Sequence, residues 1–301
     1  MKWNSPLVGL GSVVLAACAS AAGDSAAEVD WIVDATDELE PTIDAAEAAA
    51  GIDEVVAILP RLHGAPMFEV YDEVMTFGDE FCPPLDADPE GGSMWEADCT
   101  SGLGATYSGF VSQFRGEHGE YYEQNMRGEA TVSLPDGRTW VVAGQANTAE
   151  SLVGPEYRTH IDGVFHWTGE VSEGAILSDG WEVTLDWTAS YGPEETLGTL
   201  LVDGGVLVPE GTLTAVAFGE AFFSRFAEFP CSLEPAGGVA IRDSAGAWHE
   251  LVFDVQGSAE AGYTVAEGAC DGCGTLWHDG QAGDQVCIDT APLFAKTGAP
   301  W

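Results

Sequence analysis

The sequence predicts a mainly β protein: an antiparallel meander forming a large twisted sheet, a sandwich or an open barrel, preceded by a short N-terminal helical segment. From Trp181 to Ala189 apolar and polar residues alternate strictly, which puts Trp181, Val183, Leu185 and Trp187 on one face of a half-buried strand. Turn signals recur at hairpin intervals: Pro135-Asp136-Gly137, Ser178-Asp179-Gly180, Asp203-Gly204-Gly205, Asp243 to Gly246 and Asp279-Gly280. Beyond Cys82 no helical run separates the strand signals, so neighbouring strands are expected to pair through hairpins and not through crossovers.

Taken in order, residues 31–80 read as the helical segment and residues 81–301 as the β domain. Between Trp31 and Leu62 the chain is alanine-rich, with Pro41 where a helix can start, Gly51 where it can stop, and Pro60 ending the next stretch. Met67, Val70, Tyr71, Val74 and Phe77 then recur at helical spacing before Gly78, which predicts a third short helix. Within the β domain, Val239 to Arg242 and Trp248 to Asp254 flank the Asp243 to Gly246 turn and should pair as a hairpin. Thr275 to Ile288 should form a second.

Residues 1–17 carry a different signal. Lys2 supplies a positive start, Leu7 to Ala17 is a run of small and apolar residues too short to span a bilayer, and Leu15-Ala16-Ala17-Cys18 closes it. This run resembles the lipobox of bacterial lipoproteins. The resemblance implies cleavage before Cys18, diacylglycerol on its thiol, and export to the cell envelope on a membrane anchor. Ala19, and not an aspartate, follows the cysteine; in the enteric sorting rule that implies the outer membrane. Residues 18–30 are small and acidic and read as a lipidated cysteine with a flexible tether.

The chain has 50 Asp and Glu against 9 Lys and Arg, a formal charge of −41. Such a field repels phosphate, so nucleic-acid binding is excluded. With Cys18 set aside, Cys82, Cys99, Cys231, Cys270, Cys273 and Cys287 form an even set in an exported chain, which reads as three disulfides. Sequence proximity favours Cys82 with Cys99 and Cys273 with Cys287, leaving Cys231 with Cys270. The alternative is a zinc knuckle from Cys270, Cys273, His278 and Cys287, disfavoured because exported thiols meet an oxidising compartment.

Other chemistry is sparse. Asp86, Asp88 and Glu90, followed by Gly91, match the start of an EF-hand-like calcium loop, but Ala97 stands where a bidentate Glu belongs, so a solvated turn is favoured. No other cofactor is suggested. His160, Asp162 and His166 share strand parity and point to the side opposite Ile161, Phe165 and Trp167, yet the two histidines lie about 20 Å apart along a strand. No nucleophile elbow or phosphate loop occurs, and His249-Glu250 lacks the second histidine of a zinc protease. Tryptophans 140, 167, 181, 187, 248 and 277 fall in strand signals and are assigned to core packing. Beyond its lipobox, the chain loosely resembles acidic, Gly/Asp-rich bacterial lipoproteins with paired cysteines in β hairpins, a likeness that implies no activity. The expectation is a lipid-anchored envelope protein that acts as a binding or structural module and not as an enzyme, with a protein or a glycan as its partner. The competing readings are a secreted carbohydrate-active hydrolase using paired carboxylates and a lipid-anchored outer-membrane β-barrel.

Overall fold

The computed structural model describes residues 42–294, apart from 63, 89–90, 172–176, 178–180, 192–196, 209–211, 227–228 and 259. The lipobox, Cys18, the tether, Pro41, Glu90 and the turn at 178–180 lie outside the described residues.

Thirteen strands form one antiparallel sheet in chain order. They are β1 (Asp86–Ala87), β2 (Ser93–Thr100), β3 (Thr106–His118), β4 (Tyr121–Ser133), β5 (Thr139–Ser151), β6 (Glu156–Trp167), β7 (Glu182–Tyr191), β8 (Leu197–Leu207), β9 (Leu213–Ser224), β10 (Ala236–Asp243), β11 (Trp248–Val252), β14 (Cys273–His278) and β15 (Gln281–Cys287). A separate small hairpin, β12 (Gln256–Ser258) with β13 (Gly262–Thr264), is inserted before β14. The large sheet is open, with β1 and β15 at its two edges. A membrane-spanning barrel needs closure, which this strand order lacks.

Two helices cover the inward face. Helix α1 (Ala45–Ile58) starts at a capping box: Asp44 accepts from the backbone N–H groups of Ala46 and Glu47 at 2.9 Å each, and Glu47 accepts from that of Asp44 at 3.2 Å. It buries Ala48, Ile52, Val55 and Val56, at helical spacing, against β9 and β15. A 3-10 turn at Leu59–Arg61 leads to α2 (Gly64–Met75), which packs on β4, β5 and β6. The contacts are polar as well as apolar. Trp187 Nε1 donates to the Leu62 carbonyl at 2.7 Å, Tyr107 Oη to the Val74 carbonyl at 2.5 Å, and Arg115 grips Asp72 through two bonds of 2.6 and 2.8 Å. Burial pushes the Tyr107 hydroxyl up to about 12, with the nearby charge of Asp79 adding to it. Beneath the helices lie Trp95, Tyr107, Met126, Trp140, Phe165, Leu185 and Trp187, all buried. Each contributes roughly 1.5–3 kcal/mol by leaving water. The strand read at Trp181 to Ala189 is β7, and Val183, Leu185 and Trp187 are on its core side.

Two glycines behave differently from the sequence expectation. Gly51 does not stop a helix but lies inside α1, where a Cβ would come within 2.2 Å of Leu213 Cδ1; the glycine lets α1 approach β9. Gly204 does not make a turn with Asp203 and Gly205 but sits within β8 at a bulge, with φ of +107° and the Thr184 carbonyl 2.0 Å from where a Cβ would be. The expected hairpins at 239–254 and 275–288 are β10–β11 and β14–β15. A C-terminal turn of helix, α3 (Ala291–Phe294), was not legible in the sequence.

Three disulfides join Cys82 to Cys99, Cys231 to Cys270, and Cys273 to Cys287, the pairs that proximity favours. The zinc knuckle is thereby set aside, because Cys270 and Cys273 are each bonded to another sulfur. Such a set belongs to an extracytoplasmic protein.

Candidate functional site

With the core on one side, chemistry falls to the outward face. Hairpin connections of two to five residues fix the registers of β3 to β6 and of β7 to β9, a connection of fourteen residues joins β6 to β7, and the registers bring one line across the sheet that is polar from Asn125 onward. Phe114 pairs with Asn125, Asn125 with Asn147, Asn147 with His160, His160 with Asp186, and Asp186 with Asp203. Glu220 of β9 completes the line, its backbone N–H donating to Asp203 Oδ1 at 3.2 Å. A parallel line runs Ser112, Arg127, Gln145, Asp162, Thr184. Two adjoining clefts of about 480 and 490 Å³ lie over these lines and share Glu123, Asn125 and Asn147.

His160 is held at both ring nitrogens: Nδ1 lies 2.9 Å from Asp186 Oδ1 and Nε2 3.2 Å from Gln145 Nε2. In the neutral ring this sets Nδ1–H as donor and Nε2 as acceptor. Arg158 is turned aside by Glu156 at 2.6 Å and lies over the Tyr121 ring. Burial raises the Asp203 carboxyl; the Glu220 N–H opposes the rise, and the charges of Glu220 and Asp186 add to it. Asp186 and Asp203 are directly opposed like charges, an arrangement that costs a sheet stability. Glu220 has a φ of +48°, strained for a residue with a side chain, at the same end of the cleft.

Of the residues the sequence singled out, His160 and Asp162 are on this face, and Asp162 accepts from Thr184 Oγ1 at 2.8 Å. His166 pairs with Val141 and is not part of the site. Asp88 reaches the second cleft, where its carboxylate accepts from Ser112 Oγ and lies 3.9 Å from Arg127 Nη2. Asp86 is exposed on β1. Among the described residues no group of three or more His, Cys, Asp or Glu is placed to hold a metal ion. Asn125, Asn147, Asp186 and Asp203 were missed, because each is an ordinary polar position until the registers align them.

A second polar cluster is structural. Asp243, fully buried, accepts at Oδ1 from the N–H groups of Ala245 and Ala247 (2.9 Å each) and at Oδ2 from Thr42 N–H (2.9 Å) and His249 Nε2 (3.3 Å). Burial works to raise its carboxyl, but these donors hold it below the usual range. Burial likewise lowers His249, with the Asp243 bond opposing and His278, whose ring centroid is 4.8 Å away, adding to the drop. The cluster ties the N-terminal chain to the β10–β11 turn and faces the core.

Among the described residues no helix is long and apolar enough to cross a membrane. No protein-family model, curated protein or solved structure matches the chain.

Proposed function

We propose that the chain is an exported, lipid-anchored envelope protein that binds a hydrogen-bonding ligand on the outward face of β3–β9 and is not an enzyme. One observation carries the binding face: the register line from Asn125 to Asp203 lies inside a cleft of about 480 Å³. The anchor rests on Leu15-Ala16-Ala17-Cys18, and two acyl chains hold a protein stably where one gives marginal binding. The outer membrane is the proposed site of anchoring.

Two measurements test the two halves. Intact-mass analysis of membrane-extracted protein should show a lipid adduct at Cys18, and Cys18→Ala should release the protein; a soluble wild-type chain beginning at Ala19 or later contradicts the anchor. The released Cys18→Ala chain should then be retained by isolated cell envelopes, and adding Asn125→Ala, Asn147→Ala and Asp186→Ala should abolish retention. Equal retention of both chains contradicts the binding face.

A glycoside hydrolase is the second reading, favoured by the raised carboxyl of Asp203 beside Asp186. It requires release of reducing ends from an oligosaccharide, lost in Asp203→Asn.

A further inference from the structure

Resting on the binding face just described, we propose that its ligand is a neutral polysaccharide lying across the strands, perpendicular to their direction. The line of side chains crosses seven strands, β3 to β9, and at about 4.8 Å per strand it is roughly 29 Å long. That length suits a chain of several sugar units and exceeds what one sugar would cover.

The chemistry narrows the class. Acid outnumbers base in the cleft, with Glu123, Asp186, Asp203 and Glu220 against Arg158, and the whole chain carries −41, so an anionic polymer is repelled. A peptide strand cannot add to the sheet here, because the backbone groups of β4 to β8 are already spent on their neighbours and the cleft lies on a face, not at an edge. Hydroxyl groups each need an acceptor for one proton and offer lone pairs to a donor. Asn125 and Asn147, directly opposed, present an amide donor and an amide acceptor each, and the carboxylates at the Asp186 end present acceptors. Alternating donors and acceptors along one line is what neighbouring sugar hydroxyls require.

A polyamine is the rival cation-bearing ligand. It is disfavoured because the middle of the line is Asn125, Asn147 and His160, which bring no carboxylate to pair with the ammonium groups spaced along such a chain.

The test is calorimetric titration of the detergent-extracted full chain with cellohexaose, chitohexaose, laminarihexaose, maltohexaose and spermine, at low salt and at high salt. One hexaose should bind, more tightly than its disaccharide and with little salt dependence. Asn147→Ala should weaken it by about tenfold, the equivalent of one net hydrogen bond, while the unfolding curve stays that of the wild type. Salt-sensitive binding of spermine without any hexaose overturns the proposal. So does an absence of hexaose binding while envelope retention persists and is lost in the triple variant; that pattern leaves the binding face standing with another ligand. Absence of both hexaose binding and envelope retention overturns the binding face as well.

Discussion

Replacing Asp243 by alanine removes one carboxylate that serves four donors. Two of them, the Ala247 N–H and His249 Nε2, belong to buried residues and cannot turn to water; the Thr42 and Ala245 N–H groups are partly buried and can. An orphaned buried donor costs about 1–3 kcal/mol, so Asp243→Ala should destabilise by roughly 4 kcal/mol, or about 10 °C in melting temperature for a chain of this size. Asp243→Asn is the control. Its carbonyl oxygen keeps the Ala245 and Ala247 bonds, and its amide can donate to His249 once that ring carries its proton on Nδ1; only the Thr42 bond meets a donor, a loss of about 1–2 kcal/mol. Urea unfolding followed by circular dichroism reads both variants. Equal losses in the two, or a loss below about 1 kcal/mol in Asp243→Ala, would refute the view that this carboxylate is what satisfies the buried donors of the β10–β11 hairpin. The pH dependence has a definite sign. Asp243 and His249 both have lowered folded values. The stability that Asp243 contributes is therefore present above its unfolded value and lost as pH falls through the folded one. For His249 it is whole above about 6.5 and declines below it, as the unfolded ring gains a proton that the folded ring resists. His249→Gln should flatten the decline that begins below pH 6.5.

Removing the Cys231–Cys270 bond by double serine substitution frees a loop with a sequence separation of 39, and the chain-entropy relation gives a cost of about 4 kcal/mol in urea unfolding; a loss under 1 kcal/mol would show that the loop is held by its other contacts. Gly144→Ala should cost at least about 2 kcal/mol, because φ is +147° and the new Cβ would lie 2.0 Å from the Asp162 carbonyl oxygen, a backbone atom; a neutral or stabilising result would mean that β5 and β6 separate without penalty. With 50 acidic and 9 basic residues, the melting temperature should rise as NaCl is taken from 10 mM to 1 M, and a flat response would contradict the self-repulsion argument.

Local pattern was legible where one segment decides its own structure. The alternation through Trp187 and the turn from Asp243 to Gly246 needed no distant partner to be read, and the close cysteine pairs followed from spacing. Gly51 and Gly204 were misread because their reason lies in another element: Leu213 stands against the first and the Thr184 carbonyl against the second. The candidate site was half legible. Strand parity put His160 and Asp162 on the outward side, but their neighbours Asn125, Asn147, Asp186 and Asp203 align only through successive hairpin registers, where a one-residue slip anywhere would move a whole strand to the other face. The insertion β12–β13, three residues per strand, is too short for periodicity to reveal.

The binding face is tested most directly by the side-chain amide resonances of Asn125 and Asn147, followed by nuclear magnetic resonance as the Cys18→Ala chain is titrated with the hexaose that binds. The line across β3–β9 predicts that these two NH₂ groups shift together and saturate with the calorimetric affinity, while those of Gln113, on the core side of β3, and Gln256, on β12, stay in place. Shifts confined to residues outside the cleft, with Asn125 and Asn147 unmoved at saturation, would contradict the account.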